Sequence, residues 1–117
     1  MAEYLYLQET ALALHDQFGL GESYELDLNS EREKYDALKK LLAKRIQEMI
    51  DHEFDKFINL LYRIDISEPK VKEALAIQPF SEALDRVAEM IIERQLQKVI
   101  TRKQYSTSTS HDLEFDV

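Results

Sequence analysis

The chain lacks cysteine and contains very little glycine or proline. Among its 117 residues there is no Cys, and Gly and Pro occur twice each. Without cysteine there can be no disulfide framework, thiolate metal site or cysteine nucleophile. A β-sandwich or barrel needs a turn roughly every eight to twelve residues, usually with Gly, Pro, Asn or Asp. These shortages exclude disulfide-stapled domains and argue against an all-β fold.

Long apolar runs and the motifs of several enzyme classes are missing as well. No apolar run approaches the ~20 residues that span a bilayer, and the N-terminus lacks the basic and apolar regions of a signal peptide. We therefore predict a cytoplasmic protein without a membrane segment. The sequence contains no Gly-x-Ser-x-Gly, phosphate-binding loop or dinucleotide fingerprint. It assigns no catalytic residue, cofactor or metal. Whether the protein is an enzyme is left uncertain, and a protein without enzymatic activity is favoured.

The balance of charge is acidic and uneven along the chain. Asp and Glu number 23 against 15 Lys and Arg, which gives a net charge of −8. Because duplex nucleic acid is bound chiefly through Lys and Arg, nucleic acid is an unfavoured partner. Residues 1–30 contain no Lys or Arg, whereas residues 94–103 are locally basic. We expect the acidic N-terminal part to face a basic partner or this basic segment.

Apolar residues recur at spacings of three and four over most of the chain, which predicts an all-α fold, a small helical bundle. A first helix is predicted over residues 2–18 and ends at Gly19, with a short strand at 4–7 as the alternative. The predicted later elements are one long helix over about 31–61, a short helix over 68–77, and a C-terminal helix over 79–103. Ser30 and Glu33 form a capping box at the start of the long helix, and Ser67 caps the short one.

Two segments fall outside this helical pattern. Residues 22–29 alternate between apolar and acidic side chains, which indicates an extended arm or a strand paired with a second chain. Whether they form a strand is left open. Residues 105–117 form a Ser/Thr-rich linker and an acidic-hydrophobic tail. The predicted organisation is a single helical domain over residues 1–104 followed by that tail.

Three polar residues fall inside apolar helical faces and are the first candidates for a binding site. Glu53 lies among the apolar residues of the long helix, Gln95 among those of the last helix, and His15 within the apolar arc of the first. We expect Glu53 and Gln95 to face a seam shared by the long and last helices. One interpretation is a ligand or catalytic site inside the bundle. The other is a hydrogen-bonded network that fixes helix register.

Charged residues on the helix surfaces are weaker candidates. Arg94, Lys98 and Arg102 step by four residues and form a basic stripe that could bind RNA or an acidic partner. Ordinary solvation and the helix dipole explain the same stripe. The densest acidic group, which is formed by Glu48, Asp51, His52 and Asp55, falls opposite the apolar stripe and predicts no metal site.

The C-terminal tail has the composition of a docking segment. Leu113 and Phe115 alternate with acidic residues, so they could anchor the tail in a groove of another protein while the acids steer it. The alternative is a tail that folds onto its own domain.

Two stretches carry a resemblance to known sequences. Leu61-Tyr62-Arg63-Ile64-Asp65-Ile66-Ser67-Glu68, followed later by Glu93-Arg94-Gln95-Leu96-Gln97-Lys98, resembles small bacterial all-α proteins of unknown function. The resemblance covers residues 54–104. It implies a short, stand-alone cytoplasmic protein and no catalytic role.

Together these features predict a non-catalytic interaction or adaptor protein that self-associates. A continuous helix over about 31–61 would be ~45 Å long, and its apolar stripe exceeds what the other helices can cover. We therefore expect a homodimer or larger homo-oligomer through that helix. The alternatives are a ligand-binding protein or enzyme with a polar site inside the bundle, and an RNA-binding protein that uses the basic stripe.

Overall fold

The computed structural model describes residues 6–20 and 30–108, with side chains described as far as Gln104. This part of the chain forms five α-helices and no strand. They are α1 (Leu7–Phe18), α2 (Glu31–His52), α3 (Phe54–Ile64), α4 (Glu68–Leu75) and α5 (Phe80–Ser108). The predicted all-α bundle is confirmed. The alternating segment 22–29 and the tail from 109 onward lie outside the described residues.

Three helix ends form where the sequence predicts them, at Ser30, Ser67 and Gly19, whereas the first helix, predicted from residue 2, begins only at Leu7 after a left-handed Tyr6 with a φ of 63°. The Ser30 hydroxyl accepts a hydrogen bond from the Glu33 amide at 3.0 Å, and the Glu33 carboxylate accepts one from the Ser30 amide. The Ser67 hydroxyl accepts from the Lys70 amide at the start of α4. Gly19 closes α1 with a φ of 61°, a left-handed conformation that glycine adopts without steric cost. α5 begins beyond Pro79 and continues past the predicted end at Lys103.

The predicted long helix is interrupted at Glu53. Its φ of −142° and ψ of 51° are not helical, so α2 ends at His52 and α3 begins at Phe54. Neither Gly nor Pro stands near this point, which is why the periodicity predicts one continuous helix. The expectation of an uninterrupted helix over about 31–61 is therefore wrong.

The contacts with α5 show that α2 and α3 meet in a V. Lys39 of α2 pairs with Glu89 at 3.2 Å, and the Ile64 carbonyl at the end of α3 accepts from Arg94 Nε at 3.2 Å. A straight helix would separate Lys39 from Ile64 by about 37 Å, whereas Glu89 and Arg94 are only about 7.5 Å apart along α5. Side chains cannot make up this difference, so the chain turns back at Glu53.

α5 lies at the centre of the bundle and contacts each of the other four helices. The core is formed by its buried residues and by the apolar faces of the helices packed on it. Fully buried large side chains are Leu14, Phe18, Leu38, Leu42, Ile46, Met49, Phe57, Leu61, Ile64, Val87, Ile91 and Ile92. Each contributes about 1.5–3 kcal/mol through removal from water. Apart from the half-exposed Phe54, the apolar stripe of α2 and α3 is thus largely covered within the chain.

α1 is tied to the rest of the bundle at both of its ends. Near its start, Glu9 pairs with Lys103 of α5 at 3.1 Å. At its end, Arg45 Nε of α2 donates to the Phe18 carbonyl at 2.7 Å. The expected pairing between the acidic N-terminal part and the basic segment of residues 94–103 is formed by Glu9 and Lys103.

Candidate functional site

Glu53 lies at the junction of α2 and α3 rather than inside the bundle. Its side chain is 40% exposed, and one of its carboxylate oxygens lies 3.0 Å from Arg45 Nη2. Arg45 thus holds the junction as well as the end of α1. The helical wheel misplaces Glu53 because it assumes helical backbone angles at a residue that does not have them.

Gln95 is buried, as predicted, but it is far from Glu53. Lys39 of α2 pairs with Glu89 of α5. The depression beside this pair extends toward the start of α2, at Tyr35 and Arg32, and toward the end of α5, at Leu96. α2 therefore runs antiparallel to α5 and ends where α5 begins. Gln95 lies about 22 Å along α5 from Phe80. The predicted seam shared by Glu53 and Gln95 is not formed.

The interior around α1 and α5 holds polar atoms without partners. Gln95 is 4% exposed and Thr10 is fully buried. The Gln95 side-chain oxygen and the Thr10 hydroxyl make no hydrogen bond in the described structure. Gln95 therefore does not belong to the fully bonded network that the sequence allowed. His15 is half-buried on α1, and its carbonyl accepts from the Leu20 amide at 3.2 Å.

Two residues of the predicted basic stripe serve the end of α3. Arg94 donates to the Ile64 carbonyl, and Lys98 Nζ donates to the Arg63 carbonyl at 3.1 Å. Both cations also lie within 4 Å of the Asp65 carboxylate, at 3.6 and 3.8 Å. Cations placed on the last carbonyls of a helix complement its dipole. Arg102 is exposed and makes no ion pair among the described residues.

The acidic group around Glu48 lies on the outer surface, as predicted. Glu48, Asp51, His52 and Asp55 are all exposed. No group of three His, Asp or Glu residues within the described ranges is arranged to hold a metal ion.

The described surface carries shallow depressions on two sides of α5. One lies against α2, and its lining residues are Arg32, Tyr35, Lys39, Glu89, Ile92, Glu93 and Leu96. Two others adjoin each other between α4 and α5 and share Lys70, Arg86 and Met90. None of these depressions includes Glu53, Gln95 or His15. The residues selected from the sequence therefore do not line a common pocket.

Exposed apolar side chains stand at two helix junctions, one where α2 meets α3 and one where α4 meets α5, and the antiparallel packing of α2 on α5 puts both junctions at one end of the bundle. Phe54 is 50% exposed, Phe80 41% and Ile77 37%. We refer to these three residues as the apolar end. A helical wheel cannot show it, because the antiparallel packing of α2 on α5 is what brings the two turns to one end. Leu12 and Tyr62 are exposed elsewhere, at 59% and 64%.

Leu113 and Phe115, the predicted anchors of the tail, lie outside the described residues. None of the described helices is long and apolar enough to cross a membrane. No protein-family model, curated protein or solved structure matches this chain.

Proposed function

We propose that this protein is a non-catalytic interaction protein that self-associates, and that the apolar end is its contact surface. The stripe of the predicted long helix no longer motivates self-association, because residues such as Leu42 and Phe57 are fully buried within the chain. The exposed aromatic rings of the apolar end take its place as the observation that carries the proposal.

The apolar end has the chemistry of a small protein contact. Phe54 and Phe80 each leave close to half of a large ring in water, and aromatic residues are enriched at the centres of protein interfaces. Three exposed side chains offer far less apolar area than a permanent dimer interface buries. We therefore expect weak, concentration-dependent association.

The fate of the charged candidates supports a non-catalytic role. Glu53 is held by Arg45, and Arg94 and Lys98 are held by the end of α3. Because these side chains are engaged in ion pairs and helix capping, they are not free to move protons or to bind a substrate.

The proposal extends to the tail and to the compartment. Leu113 and Phe115 are proposed as anchors for a protein partner, because they alternate with acidic residues. A cytoplasmic location is proposed because a chain without cysteine draws no benefit from an oxidising compartment.

Sedimentation equilibrium from low micromolar to near-millimolar concentration tests the self-association. We expect the average mass of the native chain to rise above 13.8 kDa with concentration. The double variant Phe54→Ser/Phe80→Ser should remain monomeric, because the apolar end then loses both rings.

The matched control is Leu12→Ser/Tyr62→Ser, which removes equally exposed apolar groups from other surfaces. It should associate like the native chain. A native chain that stays monomeric throughout contradicts self-association. A control that loses association as completely as the Phe54/Phe80 variant contradicts the assignment to the apolar end.

A further inference from the structure

The junction between α2 and α3 is close to a continuous helix in its hydrogen bonding. The Glu53 amide donates to the Met49 carbonyl at 2.6 Å, and the Phe57 amide donates to the Glu53 carbonyl at 3.1 Å. Both bonds have the spacing of an α-helix. Only the bonds from the amides of residues 54–56 to the carbonyls of residues 50–52 are missing. Helical angles at one residue would restore all of them.

The local sequence also favours a helix through this point. No Gly or Pro occurs between Met49 and Phe57, and the apolar positions keep their spacing across the break. Local propensity therefore does not produce the turn at Glu53. The turn is required by α3 packing on the same α5 that α2 packs on, as the contacts of Lys39 with Glu89 and of Ile64 with Arg94 demand.

With a second copy of the chain, α2 can pack on the α5 of that copy while α3 stays on its own α5, so the turn at Glu53 is not needed. We propose that Glu53 is the hinge of a domain swap, in which α2 and α3 join into one helix over residues 31–64. Helices α3–α5 of each copy then pack against α1 and α2 of the other. The core contacts between these two units are re-formed between copies, those within each unit stay in one chain, and each chain gains the missing hydrogen bonds. Short connections between packed units are known to permit such exchange. The inference goes beyond the proposed contact through the apolar end, because it adds a second mode of self-association that uses the core contacts.

The ion pair between Arg45 and Glu53 opposes the exchange. Residues eight apart are separated by about 12 Å along a straight helix, whereas side chains three or four apart are the ones that meet on a helix surface. The pair is formed at 3.0 Å in the bent chain. We therefore assign it to the monomer, where it holds the hinge closed.

Two substitutions at the hinge test the proposal. Glu53→Ala and Glu53→Gly both remove the ion pair with Arg45, and they differ only in how well residue 53 joins a helix. Because a dimer contains two hinges, the difference in helix propensity predicts about thirtyfold tighter dimerisation of the Ala variant. Each full-length variant is unfolded, refolded at high concentration and measured by sedimentation.

Spin labels report the shape of the hinge directly. Since the chain has no cysteine, cysteines introduced at the exposed positions Lys40 and Asn59 would be the only labelled sites. Those positions are about 28 Å apart along a straight helix and closer in the V. Labelled chains are mixed with excess unlabelled chains, so that only distances within one chain are measured.

The expected result is a Glu53→Ala dimer with the lengthened distance, which separates into monomers only after partial unfolding. A dimer that keeps the short distance and dissociates freely on dilution overturns the swap, yet it leaves self-association through the apolar end intact. Failure of Glu53→Ala to dimerise after refolding also overturns the swap. The concentration-dependent mass of the native chain tests self-association separately.

Discussion

At the C-terminus of α3, two long side chains of α5 occupy the carbonyls that the helix leaves unpaired. Arg94 reaches Ile64, and Lys98 reaches Arg63. Each cation also approaches the carboxylate of Asp65, which closes the helix in a left-handed conformation with a φ of 68°. Two of the three residues that could be read from the sequence as a binding stripe or as surface charge, Arg94 and Lys98, thus fasten one helix end to the central helix.

This role predicts a loss of stability when Arg94 is shortened to an uncharged side chain. Arg94→Met keeps the aliphatic stem but removes the hydrogen bond to the Ile64 carbonyl. We expect the free energy of unfolding to fall by about 1 kcal/mol, measured by urea denaturation. Arg102→Met is the matched control and should change it by less than about 0.5 kcal/mol. Equal effects of the two substitutions would contradict a capping role for Arg94.

The buried hydroxyl of Thr10 predicts a gain in stability when it is removed, in contrast to the loss expected at Arg94. Thr10 is fully buried and its oxygen has no partner, so the folded state loses the hydration of this group without compensation. Thr10→Val keeps the shape and should raise the free energy of unfolding by about 1 kcal/mol. The same change at the exposed Thr101 should have little effect. A destabilised Thr10→Val protein would show that the hydroxyl has a bonding partner in solution.

Gln95 and Glu53 show which residue placements a sequence can predict. Gln95 is predicted to be inside, and it is, because its neighbours at helical spacing are apolar and its backbone is helical. Glu53 has equally apolar neighbours, but its own backbone angles turn it away from them. A helical wheel is reliable only where the helix continues, and the wheel itself does not show where a helix is interrupted.

At the scale of the helices, three ends are determined by a few local residues. Ser30 with Glu33, Ser67 and Gly19 each satisfy or redirect backbone groups at the ends where they stand. These ends are predictable from the sequence for that reason. The junction at Glu53 has no such residue, since its position is set by the packing of two helices on a third.

Gly19 offers a clean test of a local helix end. A methyl group added at this position would meet no atom within 4 Å, so crowding is not involved. Its φ of 61° is unfavourable for any residue with a Cβ, and Gly19→Ala should cost about 1 kcal/mol. The corresponding fall in melting temperature is about 4 °C. Gly19→Asn should lower the melting temperature less than Gly19→Ala, because Asn tolerates this conformation better. No difference between Ala and Gly would contradict the left-handed assignment.

At the scale of the whole molecule, the bundle is arranged around its last helix. α1, α2, α3 and α4 each pack against α5, and the buried residues Val87, Ile91 and Ile92 belong to it. The sequence predicts the helices and the stripes but not this arrangement. Which helix lies at the centre depends on contacts between residues far apart in the chain, such as Lys39 with Glu89 and Glu9 with Lys103.

The central position of α5 has a consequence for how the protein is made. A ribosome synthesises α1 to α4 before α5, so the four earlier helices emerge without the surface on which they pack. Their apolar faces remain in contact with water, or with chaperones, until residues 80–108 have left the ribosome. Domains fold as units during synthesis, and this one becomes a unit only with α5. Folding of the nascent chain is therefore delayed until α5 emerges, however early the other helices are translated.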